Sequence, residues 1–147
     1  MIILHRFDAK GTAPPNCLIL PLTAEARRRS RQRIERPAHP VLDLRLPRGT
    51  VLREGDILVG DDPDFGVKIS AAAEAVMTVT AQNPLDLLRA AYHLGNRHIA
   101  LEITPHYLRF SADAVLAQML HQLGIHVVAE TSPFYPELGA YGHHHAH

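Results

Sequence analysis

Residues 76–129, VMTVTAQNPLDLLRAAYHLGNRHIALEITPHYLRFSADAVLAQMLHQLGIHVVA, decide the fold because extended and helical patterns alternate along them. Residues 76–80 form a short apolar run, which is typical of a strand. Asn83 and Pro84 then indicate a helix start, since asparagine caps helix N-termini and proline suits the first helical position. The apolar residues that follow at helical spacing are Leu85, Leu87, Leu88, Ala91 and Tyr92. We predict that Gly95 ends this helix.

The rest of this stretch predicts two strands, a second helix and a last strand. Residues 99–104 and 107–110 predict two short strands, and Pro105 stops the first of them. Ser111 is predicted to cap a helix that Gly124 ends. The apolar face of that helix comprises Leu116, Met119, Leu120 and Leu123. With a strand at residues 125–129, the order strand, helix, strand, strand, helix, strand indicates a ferredoxin-like βαββαβ domain.

The first half of the chain has the pattern of a strand-rich domain. Short apolar runs separated by glycine and proline predict strands at residues 2–7, 18–22, 41–46, 50–52 and 56–59. Residues 23–29 alone suggest a helix, capped by Thr23. The expected class is α+β: an all-β N-terminal domain of the partner- or peptide-binding kind at residues 1–73, a ferredoxin-like domain at 74–131, and a flexible histidine-rich tail at 132–147.

The composition excludes several functions. The 15 basic and 15 acidic residues cancel, so no net field attracts nucleic acid or anionic lipid. No apolar run approaches the roughly 20 residues that span a bilayer, and the N-terminus does not resemble a signal peptide. Cys17 is the one cysteine, which fits a reducing cytosol. We therefore expect a cytoplasmic protein that binds neither membrane nor nucleic acid.

Catalytic signatures are missing from the sequence. It has no H-E-x-x-H motif, no G-x-S-x-G motif and no GKS/T phosphate-binding loop. Cys17 has no sequence neighbour that marks it as a nucleophile. The sequence therefore predicts that the protein is not an enzyme.

Histidine is the unusual residue of the composition, with eleven in the chain. Four of them lie in the last five positions, namely His143, His144, His145 and His147. Neutral imidazole is a common ligand for borderline transition metals, so this terminus predicts metal binding. An expression tag is the alternative, although Ala146 interrupts the run and the preceding residues do not resemble a vector scar.

Residues 94–98, LGNRH, place another histidine between the first helix and the next strand of the C-terminal domain. We expect Gly95 to allow a sharp turn and His98 to begin the strand, which would hold its backbone rigid. One histidine is a poor metal site alone, but a two-fold axis would bring two copies of His98 together. The alternative is that His98 only hydrogen-bonds a loop.

Residues 91–98, AYHLGNRH, resemble the signature of the urease accessory protein family of nickel metallochaperones (UreE-like). The agreement continues through YLRF at residues 107–110, VLAQML at 115–120 and PFYPELGAY at 133–141. It covers residues 76–147 closely, whereas the first half agrees only in its strand-rich layout and in the turn at residues 53–56.

The resemblance implies a homodimeric cytoplasmic metallochaperone that binds Ni(II) at the dimer interface through His98 of each chain. It also implies delivery of nickel to the urease apoprotein together with the urease accessory GTPase complex. Zn(II) and Cu(II) suit imidazole as well, so ligand chemistry alone does not select nickel. Members of the family often carry extra histidines where this chain has Ala112 and Ala114 beside Asp113, so an accessory metal site there is not expected.

Two other functions stay open. One is a nickel or transition-metal buffer or sensor without delivery. The other is a small nucleic-acid-binding module that uses the basic run at residues 27–33, RRRSRQR, which is otherwise a solvated surface or a docking patch for an acidic partner. The remaining histidines show no mutual spacing suited to a metal, and they are His5, His39, His93, His106, His121 and His126.

Overall fold

Two separate groups of buried apolar side chains organise the chain. A computed structural model describes residues 1–8 and 11–139. Their contacts divide into one unit of residues Met1–Ala71 and a second unit that begins at Ala72. Each unit has an apolar core of its own. Within the described residues, no helix combines the length and the apolar character that crossing a membrane requires.

The first unit consists mainly of short strands. In chain order they are β1 (Ile2–Leu4), β2 (Arg6–Asp8), β3 (Asn16–Leu22), β4 (Arg31–Ile34), β5 (Leu42–Arg45), β6 (Ile57–Val59) and β7 (Phe65–Ala71), with one helical turn, α1 (Ala24–Arg27), between β3 and β4. The strand order is β1-β5-β4 in one sheet and β2-β6-β7-β3 in the other. The β1–β5 and β3–β7 pairs are parallel, and the other pairs are antiparallel.

Alternation along β5 shows how the sequence specifies this unit. Leu42 and Leu44 are fully buried, while Arg45 faces solvent. An extended strand sends successive side chains to opposite faces, so the period-two pattern places every second leucine in the core. The predicted alternation in this run is confirmed.

In the first unit one predicted strand is wrong, and two observed strands were not predicted. Residues 50–52 are not a strand, because the Leu52 N–H donates to the carbonyl of Arg27 at the end of α1 (2.8 Å) and not to a neighbouring strand. Strand β4 was not predicted. Its half-buried residues Gln32 and Ile34 alternate with exposed arginines, so the segment looks polar in the sequence. Strand β7 was also missed, although its residues Val67, Ile69 and Ala71 are buried in alternation.

The second unit is a four-stranded antiparallel sheet with two helices. Its elements are β8 (Ala73–Thr80), α2 (Pro84–Gly95), β9 (Glu102–Ile103), β10 (Tyr107–Ser111), α3 (Ala114–Gln122) and β11 (His126–Pro133). The strand order is β11-β8-β10-β9. Residues of both helices and of the sheet share one core, and its members include Ala90, Leu94, Leu116, Leu120, Val79, Leu108, Phe110 and Val127. The chain is therefore of mixed α+β class and rich in strands.

The two helices of the second unit begin at capping side chains. The Asn83 side chain accepts the Asp86 N–H at 3.0 Å, with Pro84 at the first helical position, which confirms the predicted start of α2. The predicted cap of α3 is wrong. Ser111 pairs with Val76 in the sheet, and Asp113 instead accepts the N–H groups that start the helix.

Strand β11 is longer than the sequence predicts. It continues to Pro133, which pairs with Ala73, and Phe134 just after it is 1% exposed. The predicted start of the flexible tail at residues 132–147 is therefore too early, because its first residues belong to β11 and pair with β8, which is paired along its whole length. Residues 140–147, which include the four terminal histidines, lie outside the described residues.

Asp113→Ala should lower the free energy of unfolding by about 1 kcal/mol, because two N–H groups at the start of α3 lose their acceptor. The measurement is urea unfolding followed by circular dichroism. Ser111→Ala is the control and should change the midpoint little. A larger effect at Ser111 than at Asp113 would contradict this assignment of the cap.

Candidate metal centre

His98 lies in a turn directly after α2 and is exposed to solvent. Its N–H donates to the Gly95 carbonyl at 3.1 Å, and the Arg97 N–H donates to the Leu94 carbonyl at 3.1 Å. These bonds continue the helix for a few residues as a tighter turn. The prediction that His98 begins a strand is therefore wrong, since β9 starts only at Glu102.

The backbone of His98 has a φ of 55°, in the left-handed region that favours glycine. Gly95, which was expected to make the sharp turn, is the last residue of α2, and the helix is followed by Asn96 with a φ of −65°. A side chain at positive φ costs on the order of 1 kcal/mol relative to glycine. Ala38 also has a positive φ, of 61°, so this backbone conformation does not by itself indicate a use for the His98 imidazole.

Within the described ranges, no three His, Cys, Asp or Glu side chains come together in a way that could hold a metal ion. His98 is consequently a single exposed imidazole in one chain. His93, on the last turn of α2, packs edge-on against the ring of Tyr92, with ring centres 5.3 Å apart. The other predicted ligands, His143, His144, His145 and His147, fall outside the described residues, so their distance from His98 is not defined.

An exposed apolar stripe runs along α2 toward the turn that carries His98. We call Leu85, Leu88 and Tyr92 the α2 stripe; they are 62%, 67% and 65% exposed. The sequence predicted one apolar face that includes them, but the helix packs on its core through a different side. Leu87 and Ala91 are the members of the predicted face that contact the core. The stripe therefore remains an apolar surface on the described unit.

A polar cluster lies on the sheet face opposite the helices. Arg109 of β10 pairs with Glu102 of β9 and with Thr78 of β8, so the three side chains share one face. The Arg109 guanidinium donates to the Thr78 hydroxyl at 3.0 Å and to the Glu130 carboxylate at 3.3 Å, and it lies 3.6 Å from the Glu102 carboxylate. One guanidinium thus pairs with two carboxylates, and the three charged groups link strands β9, β10 and β11.

Glu102 and Thr78 are the buried members of the cluster, each with 5% of its surface exposed. The Tyr107 hydroxyl donates to Glu102 Oε2 at 2.8 Å, and the Arg109 guanidinium stacks on the Tyr107 ring at 4.5 Å. The hydrogen bond to Glu102, followed by burial, raises the pKa of the Tyr107 phenol above its usual value of 10.0. The phenol thus stays a hydrogen-bond donor throughout the neutral range.

The segment at residues 134–137 returns to this cluster. The Tyr135 N–H donates to Glu102 Oε1 at 2.8 Å, and the Glu137 N–H donates to the Leu101 carbonyl at 2.8 Å. Phe134 is buried beside them. Sequence analysis missed this attachment. Two features of the sequence point to this attachment. One is a single acidic residue between Leu101 and Ile103, and the other is the run PFYPEL in a region that was predicted to be a flexible tail.

The basic run at residues 27–33 divides into buried and exposed members. Arg27 is buried, and its Nε donates to the Leu22 carbonyl at 3.3 Å. Arg29 forms an exposed ion pair with Glu25 at 2.7 Å. Arg31 and Arg33 are exposed on β4, at the edge of its sheet. Arg28 is exposed as well, so the accessible positive charge of the run lies on Arg28 and on that edge strand, and Arg27 has a structural role.

Comparison with known proteins gives matches along nearly the whole chain. The family described as UreE urease accessory protein, N-terminal domain, matches residues 3–72, and the family described as UreE urease accessory protein, C-terminal domain, matches residues 74–147. The urease accessory protein UreE of Nostoc punctiforme is 58% identical over 140 residues, which cover 91% of this chain and 95% of the relative. The UreE protein of Microcystis aeruginosa is 51% identical over 141 residues, covering 95% and 89%. That of Cupriavidus necator is 49% identical over 130 residues, covering 88% and 66%.

The free energy of unfolding of His98→Gly should equal that of the natural chain or exceed it by up to about 1 kcal/mol, because glycine adopts the positive φ without strain. His98→Ala keeps the β-carbon at the same φ, so its free energy of unfolding should be lower than that of the glycine variant. Urea unfolding of the three proteins without metal gives the comparison. A glycine variant less stable than the alanine variant would exclude the left-handed conformation.

Proposed function

Since the chain belongs to the UreE family of urease accessory proteins, we propose that it is a nickel metallochaperone that delivers Ni(II) to apo-urease during assembly of the urease active site. It is an accessory protein of urease maturation and not an enzyme. The single observation that carries the nickel proposal is His98, an exposed imidazole at positive φ at the end of α2. We propose that the protein acts in the cytoplasm.

The proposed metal site contains His98 of each chain in a homodimer, supplemented by His143, His144, His145 and His147. A transition metal takes four to six ligands, so one imidazole leaves most positions open. Two chains and their termini supply the missing nitrogens. Imidazole also suits Zn(II) and Cu(II), and Cu(II) binds such ligands more tightly, so availability and the delivery partner must select nickel. A site made of exposed ligands also allows release by ligand exchange.

The α2 stripe supports the proposed dimer. Leu85, Leu88 and Tyr92 together expose an apolar surface that a monomer would leave in water. Association through this stripe would bury it. Because α2 leads into the turn with His98, a two-fold axis beside the end of the helix would bring the two imidazoles together.

Delivery requires a docking surface, and we place it on the edge strand β4. Arg31 and Arg33 project from this edge, whereas Arg27 and Arg29 are occupied within the unit. An acidic surface of the urease accessory GTPase complex or of the urease apoprotein would complement these charges.

The proposed function assigns partner binding and metal binding to different domains. We propose a partner-binding N-terminal domain at residues 1–73 and a ferredoxin-like domain that starts at residue 74. The division of contacts after Ala71 and the meeting of the two family matches between residues 72 and 74 support this boundary. The strand order β11-β8-β10-β9, with both helices on one face, supports the ferredoxin-like assignment.

Calorimetric titration of the tag-free protein with Ni(II), with the mass in solution measured in parallel, tests the function. We expect a tight site at about one nickel per two chains on a dimer, since two imidazoles share one ion. His98→Gly should remove this site. Truncation after Gly142 should lower the total nickel uptake and keep a tight site.

His121→Gln is the matched control, because His121 is an exposed histidine on α3 away from the turn. Unchanged affinity in His98→Gly would refute the central ligand. A protein that binds nickel but does not raise urease activity in a reconstitution with its accessory proteins would be a buffer or sensor instead.

Leu88→Glu should convert the proposed dimer to a monomer, because it places a charge in the centre of the α2 stripe. Sedimentation at several protein concentrations gives the mass. Val115→Glu is the control, since Val115 is 78% exposed but lies on α3. An unchanged dimer in Leu88→Glu would exclude the stripe as the interface.

The double variant Arg31→Glu, Arg33→Glu should weaken association with the urease accessory GTPase complex at least tenfold, since charge reversal turns attraction into repulsion. Titration of the complex at two salt concentrations measures the effect and its electrostatic origin. The pair Arg31→Lys, Arg33→Lys keeps the charge and should retain most of the affinity. Equal binding by both double variants would place the docking surface elsewhere.

A further inference from the structure

We propose that strand β11 is a second self-association surface, on which β11 of another copy of this chain adds antiparallel to the sheet. The pairing is centred on Val128, so that His126 of each copy lies opposite Glu130 of the other. It joins two four-stranded sheets into one continuous sheet. This surface differs from the α2 stripe, and its pairing requires no metal.

Strand β11 is a long edge of its sheet. Among the described residues it stands first in the order β11-β8-β10-β9, so one of its sides has no neighbouring strand. It has eight residues, whereas β9 at the opposite edge has two. Residues 126–132 contain no proline, lysine or arginine, which commonly keep other strands away from an exposed edge. The β11 edge is therefore suited to receive another strand.

The hydrogen-bond ladder determines which main-chain groups of β11 face outward. The Ala112 N–H donates to the carbonyl of Ala75 at 3.1 Å, so Ala75 bonds toward β10. Successive residues of an antiparallel strand bond to alternate sides, so Thr78, three positions later, bonds toward β11, where its partner is Val128. The residues on either side of Val128 therefore direct their N–H and C=O groups away from the sheet.

These two residues, Val127 and Ala129, offer main-chain groups to a second strand. In the part of the chain that the structure describes, their main-chain groups form no hydrogen bond outside the sheet. A second β11 whose Val127 faces Ala129 of the first forms about four main-chain hydrogen bonds in two symmetric pairs. The two-fold axis then passes beside Val128, and the two copies of this residue lie opposite each other without main-chain bonds between them.

The side chains on the polar face of the sheet match in this register. His126, Val128 and Glu130 occupy every second position of β11, and Val128 shares its face with its partner Thr78. His126 is exposed, Val128 is 40% exposed, and the Glu130 side chain is 42% exposed. The pairing therefore places valine against valine, and on each side of them an imidazole against a carboxylate.

Other registers lose this match. A pairing centred on Ala129 places Val128 opposite Glu130, and one centred on Glu130 places two carboxylates opposite each other, which is destabilising. A pairing centred on Val127 places His126 opposite Val128. The order imidazole, apolar residue, carboxylate is complementary to itself when reversed, and this favours a second copy of the chain over an unrelated strand as the occupant.

The contact is small, so it should be weak, with a Kd on the order of 0.1 mM. Most chains are then unpaired at about 10 µM, and about four fifths are paired at about 1 mM. The Leu88→Glu protein should accordingly be a monomer at the lower concentration and should pair through β11 only at the higher one.

Amide hydrogen exchange of the natural chain without metal tests the pairing. The Val127 and Ala129 amides should exchange about fourfold more slowly at about 1 mM than at about 10 µM, because only unpaired chains expose them. The Val128 amide bonds within the sheet and should be protected at both concentrations. Unchanged exchange of Val127 and Ala129 would mean that no second copy occupies this edge, and it overturns the proposal.

Cross-linking tests the register. In a Cys17→Ser background, which removes the natural cysteine, Val128→Cys places two thiols opposite each other at the axis. The Cα atoms of such a pair lie about 4.5 Å apart, which suits a disulfide. Oxidised glutathione should therefore link this variant into a covalent dimer at about 1 mM. Ala129→Cys is the control, since its side chain faces the other side of the sheet; equal cross-linking of both variants overturns the register.

Exchange of the two polar residues tests their match. His126→Glu places carboxylates opposite each other and Glu130→His places imidazoles opposite each other, so each should raise the Kd about tenfold. The double variant restores both imidazole–carboxylate pairs and should recover most of the affinity. Because Glu130 also contacts Arg109, protection of the Val128 amide is the check that the sheet stays intact. A double variant as weak as the single ones, or single variants with unchanged Kd, overturns the match.

Discussion

The alternation of side chains in the β11-β8-β10-β9 sheet is the constraint on which the rest of the second unit depends. It sends Val79, Leu108 and Phe110 to one face, where α2 and α3 close the core. The same alternation sends Thr78 and Arg109 to the other face, where they meet Glu102 and Glu130. A shift of register by one residue would exchange the two faces, so the position of the polar cluster and the packing of the helices are determined together.

The two faces have different functional consequences. Packing of α2 on the core positions the turn at its end and leaves Leu85, Leu88 and Tyr92 outside. The polar face receives the segment after β11 through the Tyr135 N–H. His98 and the chain that leads to the terminal histidines are thus placed by opposite sides of one sheet.

Local signals allowed a correct prediction where they were sufficient. Asn83 and Pro84 determine the start of α2 because a cap needs only neighbouring residues. Ser111 and Asp113 are two positions apart and are both of residue types that favour helix caps, so the pairing of Ser111 with Val76 in the sheet is needed to decide between them. Pairing between strands cannot be read from a local sequence pattern. For this reason Ser111 was predicted as the cap instead of Asp113.

At His98, the proposed ligand, the structure corrects the predicted backbone geometry, and metal binding by this residue stays a prediction. Resemblance and imidazole chemistry identified His98, whereas its left-handed φ was assigned to Gly95 because glycine is the usual residue there. Apolar positions cover more than one side of α2, so periodicity could not decide which side packs on the core. The partner of Glu102 at Tyr135 is distant in sequence, and no local rule connects the two.

The segment that ends at Glu137 has one more consequence, which concerns unwanted association. Strand β9 is two residues long and stands at the end of its sheet, where unpaired main-chain groups would invite a second molecule to add a strand. The Glu137 N–H satisfies the Leu101 carbonyl beside that edge. This bond leaves fewer unpaired main-chain groups at the β9 edge with which a strand of a second molecule could pair.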